Sequence, residues 1–239
     1  MIHKQHRLRV GGRAYSQFVL SLSPALYWPM QSAAGDAAAW AGGQAGVING
    51  GCAAGAAGPI AREDSRSYSF NGAGGYLEAA NPGSVLNGKF ITVSAWIRHV
   101  AAGTSYPRII DRVYNGQFCV YVYESGMQIG AALKNAAGSS VDRSQLGAVN
   151  GVVTGAWQHV AVTWDGSAMR SYIGGAADGV GYAFAGTGLA NSTSIVRIGQ
   201  RADGSNRDWE GNLCHVAVFD RVLTTTEIAA LYAVGKVGN

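Results

Sequence analysis

Charge is scarce in this chain. Asp, Glu, Lys and Arg make up only 13% of its 239 residues, and 18 basic against 14 acidic side chains leave a formal net charge of +4. Outside the stretch 1–10 the basic residues are scattered, which speaks against a nucleic-acid surface, where Lys and Arg cluster. Cysteine is scarcer still. Cys52, Cys119 and Cys214 are odd in number and share no short spacing, so neither a zinc site nor a disulfide framework is supported. Cys119 and Cys214 stand in apolar runs, where a buried free thiol of a reducing compartment is expected. No apolar run approaches the ~18 residues that cross a bilayer, so no membrane partner is expected. The basic start of the chain has no apolar stretch behind it, so no secretory signal peptide is read there.

Catalytic signatures are missing as well. His3, His6, His99, His159 and His215 show no helical metal spacing, and HExxH, the Gly-x-Ser-x-Gly elbow and the Gly-Lys-Thr phosphate loop are absent. Retaining glycosidases need two carboxylates on one face, roughly 5–5.5 Å apart. The nearest approach is Asp208-Trp209-Glu210, whose acids would share a strand face but have no second acidic cluster beside them. The chain is therefore expected to be non-enzymatic, with no metal site and no cofactor.

What the sequence does have is glycine, 35 residues of it against five prolines, with β-branched and aromatic residues between. That mixture reads as many strands joined by tight turns, enough for one large all-β domain. The clearest strand is Trp157-Gln158-His159-Val160-Ala161-Val162-Thr163-Trp164, where Val160, Val162 and Trp164 share one face. Asp165-Gly166 then turns the chain, and Met169-Arg170-Ser171-Tyr172-Ile173 runs back as a hairpin. Phe90 to Arg98 is apolar on both faces, as in a central strand. Phe18 to Leu22 and Ala25 to Met30 read as two further strands. Gln31 to Pro59, rich in Ala and Gly, reads as a surface excursion tacked down by Trp40. Short strands continue through Phe118-Cys119-Val120-Tyr121-Val122-Tyr123 to Asn212 to Phe219. Thr224-Thr225-Thr226-Glu227 is a capping box opening a short helix with Ile228, Leu231 and Tyr232 on one stripe. The expected fold is thus a two-sheet antiparallel β-sandwich with a C-terminal helix, over residues 18–239. Residues 1–17 read as a basic arm, in which Arg7, Arg9, Arg13, Tyr15 and the adjoining Phe18 would dock on a partner.

The order of these motifs resembles a known group. Ala25-Leu26-Tyr27-Trp28-Pro29-Met30, Ser69-Phe70-Asn71-Gly72, Ile91 to Ile97, Trp157 to Trp164, and Val218-Phe219-Asp220-Arg221-Val222-Leu223-Thr224 with Glu227-Ile228 are similar to laminin G-like domains. These are concanavalin A-like jelly rolls related to pentraxins, lectins and glucanases, and the resemblance covers about residues 18–235. The group often carries acids where this chain has Cys214-His215, and Asp or Glu where it has Gln31, so calcium binding is not supported here.

Such domains opened by a short arm and the motif Leu20-Ser21-Leu22-Ser23-Pro24-Ala25-Leu26-Tyr27-Trp28 also resemble virion proteins of tailed bacteriophages. The resemblance implies a non-catalytic structural protein on a virion surface, made in the host cytoplasm, docking on capsid or tail protein as a homo-oligomer. The alternative is a carbohydrate-binding adhesin or tail-fibre module that recognises host surface glycans; a glycoside hydrolase is the third reading. For sugar recognition the candidate residues are Asp203, Asn206, Arg207, Asp208 and Trp209 in one loop, with Trp40, and with Tyr106 or Arg108 joining them.

Overall fold

The computed structural model describes residues 11–42, 44–60, 65–100 and 106–236, with side chains from residue 14 onward. The chain opens with helix α1 (Gly11–Ser21), followed by strands β1 (Leu26–Trp28), β2 (Gly46–Asn49), β3 (Cys52–Ala57), β4 (Arg66–Asn71) and β5 (Tyr76–Ala79). The middle of the chain gives β6 (Ile91–His99), β7 (Arg108–Arg112), β8 (Phe118–Tyr123), β9 (Gln128–Lys134) and β10 (Ser140–Arg143). The last third gives β11 (Trp157–Trp164), β12 (Ala168–Ile173), β13 (Ala176–Ala183), β14 (Val196–Ile198), β15 (Glu210–Phe219) and helix α2 (Thr225–Lys236).

The strands form two antiparallel sheets. The first is ordered β13-β12-β11-β6-β15-β4-β3, with β1 paired to β15, and the second β10-β9-β8-β7-β14-β5-β2. Hairpin β11–β12 is the one the sequence implies: Val160 faces Ile173, Trp164 faces Met169, and Asp165 Oδ1 accepts from Ser167 N and Ala168 N at 2.8 Å each. β6 lies inside the first sheet between β11 and β15 and is buried on both faces. Its Val93, Ala95 and Ile97 belong to the large core that also takes in Val120, Val122, Ile129 and Leu133 from the second sheet.

The opposite face of β6 meets helices rather than solvent. Tyr15 of α1 sets its ring 6.4 Å from Trp96 and 4.6 Å from His215. Tyr232 of α2 lies 6.0 Å from Trp96. This corrects two sequence expectations. Residues 18–21 belong to a helix, not a strand, because Tyr15, Phe18 and Val19, with Leu22 just past the last turn, repeat at helical spacing and turn one face to the core. The expected boundary at 17/18 falls within that helix, and Tyr15, 1% exposed, is part of the domain's own core rather than a docking anchor. Phe18 is half-buried against the same core. Arg7 and Arg9 lie outside the described residues, and for Arg13 only the backbone is described. Ser23, at φ 59°, and Pro24 then end the helix.

The Gln31–Pro59 excursion is also corrected. It supplies β2 and β3, which pair with β5 and β4 and finish one edge of each sheet. Alanine and glycine hide these strands from a pattern reading, since strand signals rest on β-branched and aromatic side chains. Trp40 does tack the segment down, edge-on to Tyr27 at 6.4 Å.

The capping box is formed as read. Glu227 N donates to Thr224 Oγ1 at 3.1 Å, and Thr224 N donates to Glu227 Oε2 at 2.8 Å. Arg221 donates to both carboxylate oxygens at 3.0 and 2.7 Å, and this hydrogen bonding holds the Glu227 carboxyl down at about 2. Thr224→Ala should therefore cost about 1 kcal/mol in denaturant unfolding. An unchanged midpoint would show that packing of Ile228 and Leu231 alone fixes the helix.

Candidate functional site

The loop that the sequence singles out does not act as one surface. Asp203 and Asn206 are exposed, and Asp203 pairs with Arg201 at 3.0 Å while accepting from Ser205 N and Oγ. Asp208 is buried, where Gln200 donates to it at 2.7 Å. Gln200 in turn accepts from Arg197 Nη1 at 2.7 Å, and Arg197 Nε donates to Glu78 at 3.0 Å. Asp208 thus belongs to a chain that braces the loop, rather than being a group offered to a ligand. Trp209 is fully buried, with its ring 4.9 Å from that of His99, so it cannot serve as a stacking platform. Its backbone fixes that inward setting: Trp209 N donates to Gly199 O at 2.7 Å, and Trp209 O accepts from Gly72 N at 3.0 Å. Trp40 is 46% exposed but borders a different cavity of about 170 Å³, with Pro29, Met30, Gln31, Ser32 and Ala38.

Arg207 is the member of that set found at a second pocket, of about 190 Å³, lined by Tyr106, Arg108, Tyr114, Asp142, Arg201 and Arg207. It lies on the outer face of the second sheet, and register explains its floor. Asp111 faces Cys119, Cys119 faces Ala132, and Ala132 faces Asp142 across β7, β8, β9 and β10. In the neighbouring row Arg108 faces Tyr121, and Tyr121 faces Gly130. The Tyr121 ring lies against Gly130, where a Cβ would collide with it, so glycine there lets the ring lean toward β10. Tyr121 donates its hydroxyl to Asp142 Oδ1, and Tyr114 donates to Oδ2 at 2.6 Å.

Guanidiniums cover these rings. Arg108 lies over Tyr121 at 4.5 Å and over Tyr114 at 5.4 Å, Arg201 over Tyr114 at 4.4 Å, and Arg207 over Tyr106 at 5.0 Å. Tyr106 stacks on Tyr123 at 5.5 Å and meets the edge of Tyr121 at 5.8 Å. Arg108 Nε donates to Asp111 Oδ2 at 3.2 Å, Nη1 donates to Tyr106 O at 3.0 Å, and Asp111 Oδ1 also accepts from Tyr114 N at 3.1 Å. Burial pushes the Tyr121 phenol far up, and the hydrogen bond to Asp142 raises Tyr114, so both remain donors. The pocket combines aromatic faces, fixed cations and a carboxylate already occupied by phenols.

Residues 71–229 match the model described as Concanavalin A-like lectin/glucanases superfamily, in its laminin G form. The chain belongs to this superfamily. No curated protein matches it in sequence. In fold it is similar to the binding domain of botulinum neurotoxin serotype G, at a TM-score of 0.64 and 14% identity over 89% of this chain and 51% of that one. The binding domain of Paraclostridial Mosquitocidal Protein 1 gives a TM-score of 0.56 at 15% identity, over 71% and 43%. The binding domain of botulinum neurotoxin DC in complex with SialylT gives 0.60 at 14%, over 88% and 51%. The chain spans about half the length of these structures or less, and identities this low speak for the fold alone.

A superfamily of lectins and glucanases makes the acids worth locating. Of the pair the sequence offers, Asp208 is buried in the loop brace and Glu210 opens β15 opposite Asn71. Among the described residues no group of three or more His, Cys, Asp or Glu is gathered for a metal ion, and all three cysteines are free and buried. No described helix is long and apolar enough to cross a membrane. Tyr106, Arg108 and Arg207, named from the sequence, meet at the pocket. Tyr114, Asp142 and Arg201 were not foreseen. The alternation of Phe118-Cys119-Val120-Tyr121-Val122-Tyr123 does carry a signal, since it puts Cys119, Tyr121 and Tyr123 on the face away from the core. Nothing local marks Asp142 or Arg201, which reach the site only through pairing of β9 with β10 and the turn after β14.

Proposed function

We propose that this domain is a non-catalytic carbohydrate-binding module and that the Tyr106–Arg108–Tyr114–Arg201–Arg207 pocket is its ligand site. The observation that carries the reading is the convergence of tyrosine faces and guanidiniums on one open cavity. Sugars offer apolar C–H faces for the first and hydroxyl or acidic oxygens for the second. The similar solved proteins are binding domains, one of them in complex with SialylT, which supports a binding role over a catalytic one. Host surface glycans are the partner this reading implies. A virion structural role, with capsid or tail protein and further copies as partners, rests on the resemblance of the opening motif. Its expected arm has lost Tyr15 to the core, so we rank it second.

The test is a glycan array with the purified chain, with and without calcium, followed by titration of any hit. Tyr106→Ala and Arg201→Ala should each weaken binding at least tenfold, about 1.4 kcal/mol, with melting temperatures close to that of the parent. Binding to no glycan, or binding that both variants leave intact, would remove this function from the pocket.

A further inference from the structure

This inference rests on the carbohydrate-binding reading and specifies its ligand. We propose that the pocket takes an acidic sugar, with the carboxylate or sulfate group seated among the guanidiniums of Arg108, Arg201 and Arg207. Of the six described lining residues, three are arginines, each with five N–H donors in a planar fork, and one is a carboxylate. That carboxylate, Asp142, takes the hydroxyl of Tyr121 on one oxygen and that of Tyr114 on the other. The remaining acids nearby are likewise turned to protein donors. Asp111 accepts from Arg108 Nε and Tyr114 N, and Asp203 accepts from Arg201 and from Ser205. Neither of these two acids lines the cavity.

A neutral sugar presents hydroxyls that both donate and accept, and needs acceptors from its site. Each oxygen of the one carboxylate in its lining already takes a tyrosine hydroxyl, while three guanidiniums line the same cavity. An anionic oxygen pair matches the guanidinium fork in shape and charge, as a hydroxyl does not. The tyrosine rings beneath the guanidiniums hold their planes in place without adding any competing negative charge. Burial of the Tyr121 phenol keeps it from ionising beside the bound anion.

The experiment titrates the full chain with matched pairs: a uronic-acid oligosaccharide and its carboxyl-reduced form, and a sulfated oligosaccharide and its desulfated form. Sodium sulfate and sodium acetate serve as sugar-free anions. Acidic members should bind at least tenfold more tightly than their neutral partners, and binding should weaken as NaCl is raised to 0.5 M. Arg201→Gln and Arg207→Gln should each shrink that preference at least fivefold while retaining the parent's circular dichroism. Neutral members binding as well as acidic ones would overturn the acidic preference and leave the carbohydrate reading standing. Competition by sulfate or acetate at the same concentration as the glycan would overturn the sugar part of the proposal. Binding to none of the ligands would end both readings.

Discussion

Replacing Arg112 with methionine should lower the unfolding free energy by about 3–5 kcal/mol and the melting temperature by roughly 10 °C. The Arg112 side chain is fully buried at the end of β7. Its Nη1 donates to Gln117 Oε1 at 2.9 Å, and its Nη2 to Asn81 Oδ1, Gly83 O and Ser192 O at 3.0, 2.8 and 2.9 Å; Nε reaches Ser194 O at 3.4 Å. All five acceptors are neutral, and burial pulls the guanidinium pKa below its usual range. One side chain therefore joins the turn before β8 to two separate loops, at 81–83 and at 192–194. Methionine would fill much of the volume but strand those carbonyls in a dry interior, at about 1–3 kcal/mol for each group left unsatisfied. Arg112→Lys should recover only a minor part, since a single ammonium cannot span acceptors set around a planar fork. Denaturant unfolding checks this: a loss below 1 kcal/mol in Arg112→Met would mean the loops hold without the clamp.

Arg112 also illustrates what a linear reading can and cannot reach. It appears in sequence as one more charge after an apolar pair, Ile109-Ile110, and its partners are scattered from Asn81 to Ser194. Local patterns gave up the elements whose own residues state their setting. β11 alternates apolar and polar, Asp165-Gly166 turns it back, and Thr224 with Glu227 caps α2. The strands of Ala and Gly stayed hidden because their pairing comes from neighbours. α1 stayed hidden because Gly11-Gly12 and the β-branched Val19 argue against a helix, and packing of Tyr15 and Val19 overrides them. The site was half legible for the same reason. Arg207 and its loop announce a polar surface, but whether Trp209 points in or out depends on where β15 begins. One residue of register decides that. The pocket's other half, Tyr114 in the turn between β7 and β8 and Asp142 on β10, is far away in sequence and brought near only by the sheet.

Acid should destabilise this domain well before its carboxylates titrate. His159 and His215 are both buried beneath the helices on the outer face of the first sheet, and burial pulls each imidazole down to about 3 from an ordinary 6.5. His215 stands at φ 51° in the bulge where β15 changes partner from β4 to β1. Its Nδ1 lies 2.8 Å from Tyr27 Oη, whose hydroxyl donates to Ser16 of α1, and its Nε2 lies 3.2 Å from Gln31 Nε2. An amide nitrogen only donates, so Nε2 must accept and the proton sits on Nδ1. Protonating Nε2 would set two donors against each other. His159 shares its Nε2 with Ser94 Oγ at 2.9 Å and is otherwise ringed by Trp96 and Tyr232, so a charge there would also lack a counter-ion. The two imidazoles, once charged, would repel as well.

The sign follows from linkage. Below pH 6.5 the unfolded chain binds protons that the native histidines refuse, so stability falls with pH until about pH 3, by an amount on the order of several kcal/mol for the pair. His99, also pulled down by burial, adds in the same direction. Glu227, held at about 2, contributes only below its ordinary 4.5, so the interval from pH 6.5 to 4.5 isolates the histidines. Asp111 and Asp178, pushed up by burial, act with opposite sign and can only blunt the effect. Unfolding midpoints at pH 7.5 and pH 5 measure it, and the double variant His159→Gln, His215→Gln should flatten the difference. Equal midpoints in the parent chain would mean that water or rearrangement solvates these imidazoles. A flat profile in the double variant would instead place the acid sensitivity where α1 and α2 meet the sheet, on the face opposite the pocket.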